Sequence, residues 1–242
     1  MLRNSCIRIG GLAMVSALSA VGLAACGAAP ADGEVQQSAA LTDNSLTANS
    51  LTANALTDPL ARELLKYVVS CALDDGDSLT IKVNGTRYTF PGELGLAPDW
   101  SDRDGSCDGS CQRWVTACVL ARVDAAGVKR EISVRGNNPA LWPSFGELWG
   151  YPAREASYFG NIFAPGQPRF LCLSPGQTND PRVCGASLAS CPMTVEGSCS
   201  TDCSDTGAFG TFSNCSDAGR AGRGHTYAEV ITVFLPLSGS AM

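Results

Sequence analysis

Ser78-Leu79-Thr80-Ile81-Lys82-Val83-Asn84-Gly85-Thr86-Arg87-Tyr88-Thr89-Phe90 reads as a β-hairpin. Two alternating runs, 78–83 and 86–90, flank Asn84-Gly85, the dipeptide that suits the two positive-φ positions of a type I′ turn. A two-residue turn sets Val83 opposite Thr86, Ile81 opposite Tyr88 and Leu79 opposite Phe90. The large apolar residues then share one face, with Thr80, Lys82, Arg87 and Thr89 on the other. A hairpin with one apolar face needs a partner layer, and its neighbours in the chain supply candidates.

Upstream, Thr57 or Asp58 can cap a helix, and Pro59 suits a first helical turn. Leu60, Leu64, Leu65, Val68 and Cys71 or Ala72 recur at helical spacing, and Asp74-Asp75-Gly76 marks the stop. Downstream, after a loop with Pro91-Gly92, Pro98 and Trp100, residues 109–125 read as a second helix. It carries Cys111, Trp114, Val115, Cys118, Val119 and Arg122 along one side. Gly127 ends it, and residues 128–135 alternate like a strand, with Val128, Ile132 and Val134 inward and Lys129, Glu131 and Arg135 outward. Helix, hairpin, helix, strand predicts an α+β fold. Cys71 is expected to bridge the two helices through Cys111 or Cys118.

Beyond Gly136 the periodicity thins. Trp142, Phe145, Trp149, Tyr151, Tyr158, Phe159 and Phe163 lie among Gly and Pro and are expected to pack as a loop layer over the sheet; a sugar- or peptide-binding platform is the alternative. Residues 169–173 and 229–235 are strand candidates. Residues 174–226, rich in Ser, Gly, Asp and Thr, have little to bury, so their cysteines are expected to hold them.

The amino-terminal segment states an address. Arg3 and Arg8 precede a weakly apolar core from Ile9 to Leu23, the layout of a secretory signal and too weak for a permanent transmembrane span. Leu23-Ala24-Ala25-Cys26 resembles the lipobox of bacterial lipoproteins at every position. The resemblance implies a diacylglyceryl group on the Cys26 thiol, cleavage before it, and acylation of the new amino group. Several chains matter, because one myristoyl-sized chain gives only marginal membrane binding. An ordinary signal cut near Ala28 or Ala31 is the competing reading. Gly27, where aspartate commonly retains lipoproteins at the inner membrane, implies delivery to the outer membrane.

This divides the chain into a signal peptide (1–25), an anchored tether (26–57) and a disulfide-rich domain (58–242). Leu41, Leu46, Leu51 and Leu56, each followed by threonine, give the tether a five-residue period. The period resembles the pentapeptide-repeat β-helix, but the residues before leucine are in the other order and four repeats make a single coil, so a repetitive spacer is favoured. The Asn-Xaa-Leu-Thr runs are also similar to those preceding cysteine-containing domains in a family of exported bacterial proteins.

Composition narrows the partners. The chain has 242 residues with 17 basic and 23 acidic side chains; losing Arg3 and Arg8 with the signal leaves 15 against 23, a net −8. That balance excludes a nucleic-acid surface and electrostatic adhesion to anionic lipid, leaving acyl chains as the membrane contact. Besides Cys6 and Cys26, ten cysteines remain: Cys71, Cys107, Cys111, Cys118, Cys172, Cys184, Cys191, Cys199, Cys203 and Cys215. An even number on an exported chain reads as a disulfide framework.

Chemistry is harder to find. His225 is the only histidine, and a hydrolase would have to pair it with a carboxylate or serine; Gly185-Ala186-Ser187-Leu188-Ala189 is a poor nucleophile elbow. Glu147, Glu155 and Glu229 could supply an acid/base pair. Cys107-Xaa₃-Cys111 and Cys199-Xaa₃-Cys203 fall within zinc-ligand spacing, although disulfides are favoured in an oxidising envelope. Asp99, Asp102, Asp104 and Asp108 could hold Ca²⁺ in their loop but lack EF-hand order; Asp74, Asp75 and Asp77 read as solvated. No cofactor motif is present. The leading reading is a non-enzymatic envelope lipoprotein, with a hydrolase using His225 as the alternative.

Overall fold

In the computed structural model the hairpin forms in the register its sequence dictates: Leu79 pairs with Phe90, Ile81 with Tyr88 and Val83 with Thr86. Asn84 and Gly85 both have positive φ, 49° and 82°, as a type I′ turn requires. The structure describes residues 55–101, 106–205, 209–217 and 224–237. Cys26, the signal, and the repeats at Leu41, Leu46 and Leu51 lie outside the described residues.

The elements in order are α1 (Pro59–Ala72), β1 (Ser78–Val83), β2 (Thr86–Pro91), α2 (Gly109–Ala121), β3 (Ser133–Gly136), α3 (Phe145–Gly150), β4 (Ala153–Gly160), β5 (Arg169–Leu173), α4 (Pro181–Cys184), β6 (Thr194–Ser198), α5 (Cys199–Asp202), β7 (Ser204–Asp205), β8 (Phe212–Ser213), β9 (Cys215–Ser216), β10 (Thr226–Tyr227) and β11 (Ile231–Leu235). The fold is a disulfide-stabilised α+β domain. Its main sheet has five strands in the order β3-β11-β4-β5-β6, antiparallel except for the β5–β6 pair. The β1–β2 hairpin is a separate sheet.

Asp58 caps α1, its carboxylate accepting from the Leu60 N–H, with Pro59 in the first turn. Leu65, Val68, Cys71 and Ala72 face the core as expected, but Leu60 is exposed. Packing begins two residues before the expected boundary. Leu56 is buried, and its carbonyl and that of Thr57 accept from the Arg62 guanidinium. At its other end α1 is closed by the loop after β2: N–H groups of Glu93, Leu94, Leu96 and Ala97 donate to the carbonyls of Leu73, Ser70, Cys71 and Ala72. Gly92 permits the approach, since a Cβ there would lie 2.3 Å from the Asp74 carbonyl.

The centre of the molecule is α2. Asp108 caps it, and every residue from Val115 to Ala121 is buried. A helix apolar all round belongs between layers. One side of α2 meets α1, against which the hairpin packs; the other meets the sheet face formed by Ala156, Tyr158, Leu171, Leu173, Ile231 and Val233.

Residues alternating with these build a second core on the opposite face, from Phe159, Cys172, Phe212, Tyr227 and Val230. This corrects the expectation that residues 174–226 have little to bury. Their few apolar residues are spaced so that Phe212, on β8, reaches the back of the sheet. Strand β3 also departs from expectation. It covers only Ser133–Gly136, and Arg135 points inward while Val128 is exposed. Arg135 stacks its guanidinium 3.9 Å from the Phe234 ring and donates to the carbonyls of Glu147 and Tyr151, so a covered position suits it.

All ten domain cysteines pair: Cys71–Cys118, Cys107–Cys111, Cys172–Cys199, Cys184–Cys191 and Cys203–Cys215. The first joins α1 to α2 as expected, through Cys118. Among the described residues no helix is long and apolar enough to cross a membrane.

Candidate functional site

The residues singled out for acid/base chemistry are dispersed into separate contacts. His225 is exposed; its backbone N–H donates to the Asp217 carboxylate, and its ring lies edge-on to Tyr227 with centroids 4.6 Å apart. Ser187 pairs with Ser190 in the turn closed by Cys184–Cys191, rather than with His225. Asp108 is a helix cap and Asp99 an exposed turn residue, while Asp102 and Asp104 lie outside the described residues.

Each of the three glutamates is engaged by its own partner. Glu147 accepts from the Ser133 hydroxyl at 2.7 Å. Glu229, almost wholly buried, accepts from Ser110 Oγ at 2.6 Å and from Arg113 Nε and Nη2 at 2.7 and 3.0 Å. Burial pushes the Glu229 carboxyl up, but the donors from Arg113 and Ser110 outweigh it, and the net shift is downward. The unfolded chain therefore takes up this proton first as pH falls. The stability the pair contributes is present above the ordinary carboxylate range and is lost as pH drops through about 4.5 toward the lowered folded value. Arg113→Met should cost about 1.5–3 kcal/mol at neutral pH, the scale of a hydrogen bond to a charged group. It should also raise the pH of the acid-unfolding midpoint, read by circular dichroism; an unchanged midpoint would refute the assignment.

Glu155 belongs to a buried network. It accepts from Arg182 Nη2 at 2.7 Å and Nε at 3.0 Å. Arg182 Nη2 also donates to the Tyr158 hydroxyl at 2.8 Å, and that hydroxyl donates to Asp180. Arg182 Nη1 reaches the Ala121 and Val123 carbonyls at 2.8 and 2.6 Å, closing the carboxyl end of α2. Burial pushes Glu155 up, and Arg182 pulls it back only in part. Enclosed on every side, this network ties α2, β4 and α4 together; it does not present a group to a substrate.

The unexplained groups are aromatic. Trp142, Phe145 and Trp149 are 61, 77 and 73 % exposed, and Phe209 is 37 % exposed. The expectation of a packed loop layer is correct for Phe163, which is buried in a turn; Tyr158 and Phe159 are buried on β4, the middle strand of the sheet itself, and Trp142, Phe145 and Trp149 face solvent. The cause is how α3 is held. Its Glu147 side chain meets Ser133, and carbonyls at its carboxyl end meet Arg135, so polar groups fix the helix to the edge strand β3. Phe145 and Trp149, four residues apart, then share a face turned to solvent, with rings edge-to-face at 6.0 Å. Trp142 lies 6.5 Å from Phe209. The signal for α3 was present: Ser144 and Glu147 form the Ser-Xaa-Xaa-Glu start of a helix, and Ser144 Oγ accepts from the Glu147 N–H. Exposed clustered aromatics of this kind mark contact surfaces.

Neither a family model, nor a curated protein, nor a solved structure matches this chain.

Proposed function

We propose that this chain is a cell-envelope lipoprotein, held at the outer membrane by acyl groups on Cys26, whose disulfide-bonded domain is a non-enzymatic binding or structural module. The lipobox Leu23-Ala24-Ala25-Cys26 and the small-residue tether support the anchor. The observation that carries the module is the solvent-facing surface of Trp142, just before α3, with Phe145 and Trp149 on α3, a helix that already spends its polar groups on the fold. Aromatic rings present large contact area at low entropic cost.

The test uses the full chain expressed in a diderm bacterium. The membrane fraction should hold a species whose mass is that of residues 26–242 plus the acyl groups, and Cys26→Ser should abolish it. An unmodified terminus downstream of Cys26 refutes the anchor. Trp142→Ala with Trp149→Ala should change stability by no more than about 0.5 kcal/mol, as exposed substitutions do. The same pair should remove the cross-linked envelope adducts given by the wild-type chain; unchanged adducts refute the aromatic face as the contact.

A further inference from the structure

The chemistry of the aromatic face narrows what covers it. Residues 142–152, Trp-Pro-Ser-Phe-Gly-Glu-Leu-Trp-Gly-Tyr-Pro, hold one charged side chain, Glu147, and it is turned onto the Ser133 hydroxyl at 2.7 Å. The other polar groups of the segment are also engaged. Ser144 Oγ accepts from the Glu147 N–H, Arg135 donates to the carbonyls of Glu147 and Tyr151, and the Tyr151 hydroxyl donates to Glu131 at 3.4 Å. What the segment turns to solvent is two indoles and a phenyl ring, Trp142, Trp149 and Phe145. A glycan site sets carboxylates or amides beside its rings to hold hydroxyls, and here the one carboxylate of the segment points into the fold.

We infer that this face seats in the interfacial layer of the bilayer that carries the acyl anchor, with Trp142, Phe145 and Trp149 among headgroups and upper acyl chains. An indole has an apolar body and an N–H that suits the wet boundary of a membrane, where tryptophan concentrates. The net −8 of the mature chain gives no attraction to anionic lipid, and this contact asks for none. It moves ring surface out of water at a patch whose only charge is already paired with the fold.

Reach supplies the rest. Residues 26–54 span at most about 100 Å even when fully extended, so a chain acylated at Cys26 keeps its domain beside one bilayer. The second contact is then intramolecular in effect, and a contact that a free domain makes only at millimolar lipid is occupied in the anchored one. This inference rests on reading the chain as a lipoprotein with a binding face. The contact itself needs no acyl group, so anchor and contact are tested apart.

The experiment uses residues 26–242 carrying Cys26→Ser, which cannot be acylated there, and vesicles of zwitterionic phosphatidylcholine at millimolar lipid. The chain should float with the vesicles through a density gradient, and lipid brominated high on its acyl chains should quench its tryptophan emission. Trp142→Ala with Phe145→Ala and Trp149→Ala should lower the partition coefficient at least about tenfold, at an unchanged thermal midpoint. Trp142→Phe with Trp149→Phe should keep most of the binding, and added salt should leave it unchanged. No flotation overturns the inference, as does flotation that the three alanines leave intact or that salt abolishes. Sedimentation with purified peptidoglycan in place of flotation assigns the face to a glycan and also overturns it. The anchor is read from the mass of the membrane-bound wild type. An unacylated wild type with flotation intact refutes the anchor alone, and an acylated wild type whose Cys26→Ser form does not float refutes the contact alone.

Discussion

Arg182→Ala is expected to destabilise the domain by about 3–5 kcal/mol, the cost of removing one partner from a buried ion pair. The substitution leaves Glu155 buried without its guanidinium, strips a donor from the Tyr158 hydroxyl, and exposes the Ala121 and Val123 carbonyls to an apolar interior. Thermal unfolding would show it, at roughly 2–4 °C per kcal/mol for a chain of this size. Pairing Arg182→Met with Glu155→Gln should recover part of the loss, because the unpaired charge is gone. Recovery should be incomplete, since neither new side chain donates to the end of α2. A single substitution with less than about 1 kcal/mol of effect would mean that water reaches the network and satisfies it.

The second large effect belongs to Cys71–Cys118, which closes a loop of 47 residues. In the chain-entropy account a loop of that length corresponds to about 4 kcal/mol. Replacing both cysteines with alanine should lower the denaturation midpoint accordingly. Cys107–Cys111, with a sequence separation of 4, should cost only about 2 kcal/mol by the same relation. The ordering is the test. Cys71 and Cys118 are also fully buried between α1 and α2, so their loss removes packing as well as the constraint. Equal losses from the two deletions would show that restriction of the unfolded chain is not what these bridges contribute.

The elements with local signals were legible. Asn84-Gly85 dictated both turn and register, and Asp58-Pro59 started α1, because each acts through groups within a few residues of itself. Residues 128–135 misled because alternation reports which side chains share a face, not which face is covered. Arg135 is inside because Phe234, ninety-nine positions later, and the carbonyls of α3 meet it there. The candidate surface was half legible. Its aromatics were visible in the sequence, as was the capping pair Ser144 and Glu147, yet composition alone favours burying such rings.

The α+β class, the hairpin, the two long helices and the even set of domain cysteines were legible in the sequence, the first three because they are written in contiguous residues. Only the tertiary structure decided that α2 lies between two layers, that Cys71 takes Cys118, that two bridges meet at 3.5 Å, and that Phe145 and Trp149 face solvent. Those outcomes depend on partners far apart in the chain. Which of two chemically equivalent faces or thiols is used is set by the free energy of the whole packed arrangement, and local spacing carries no record of it.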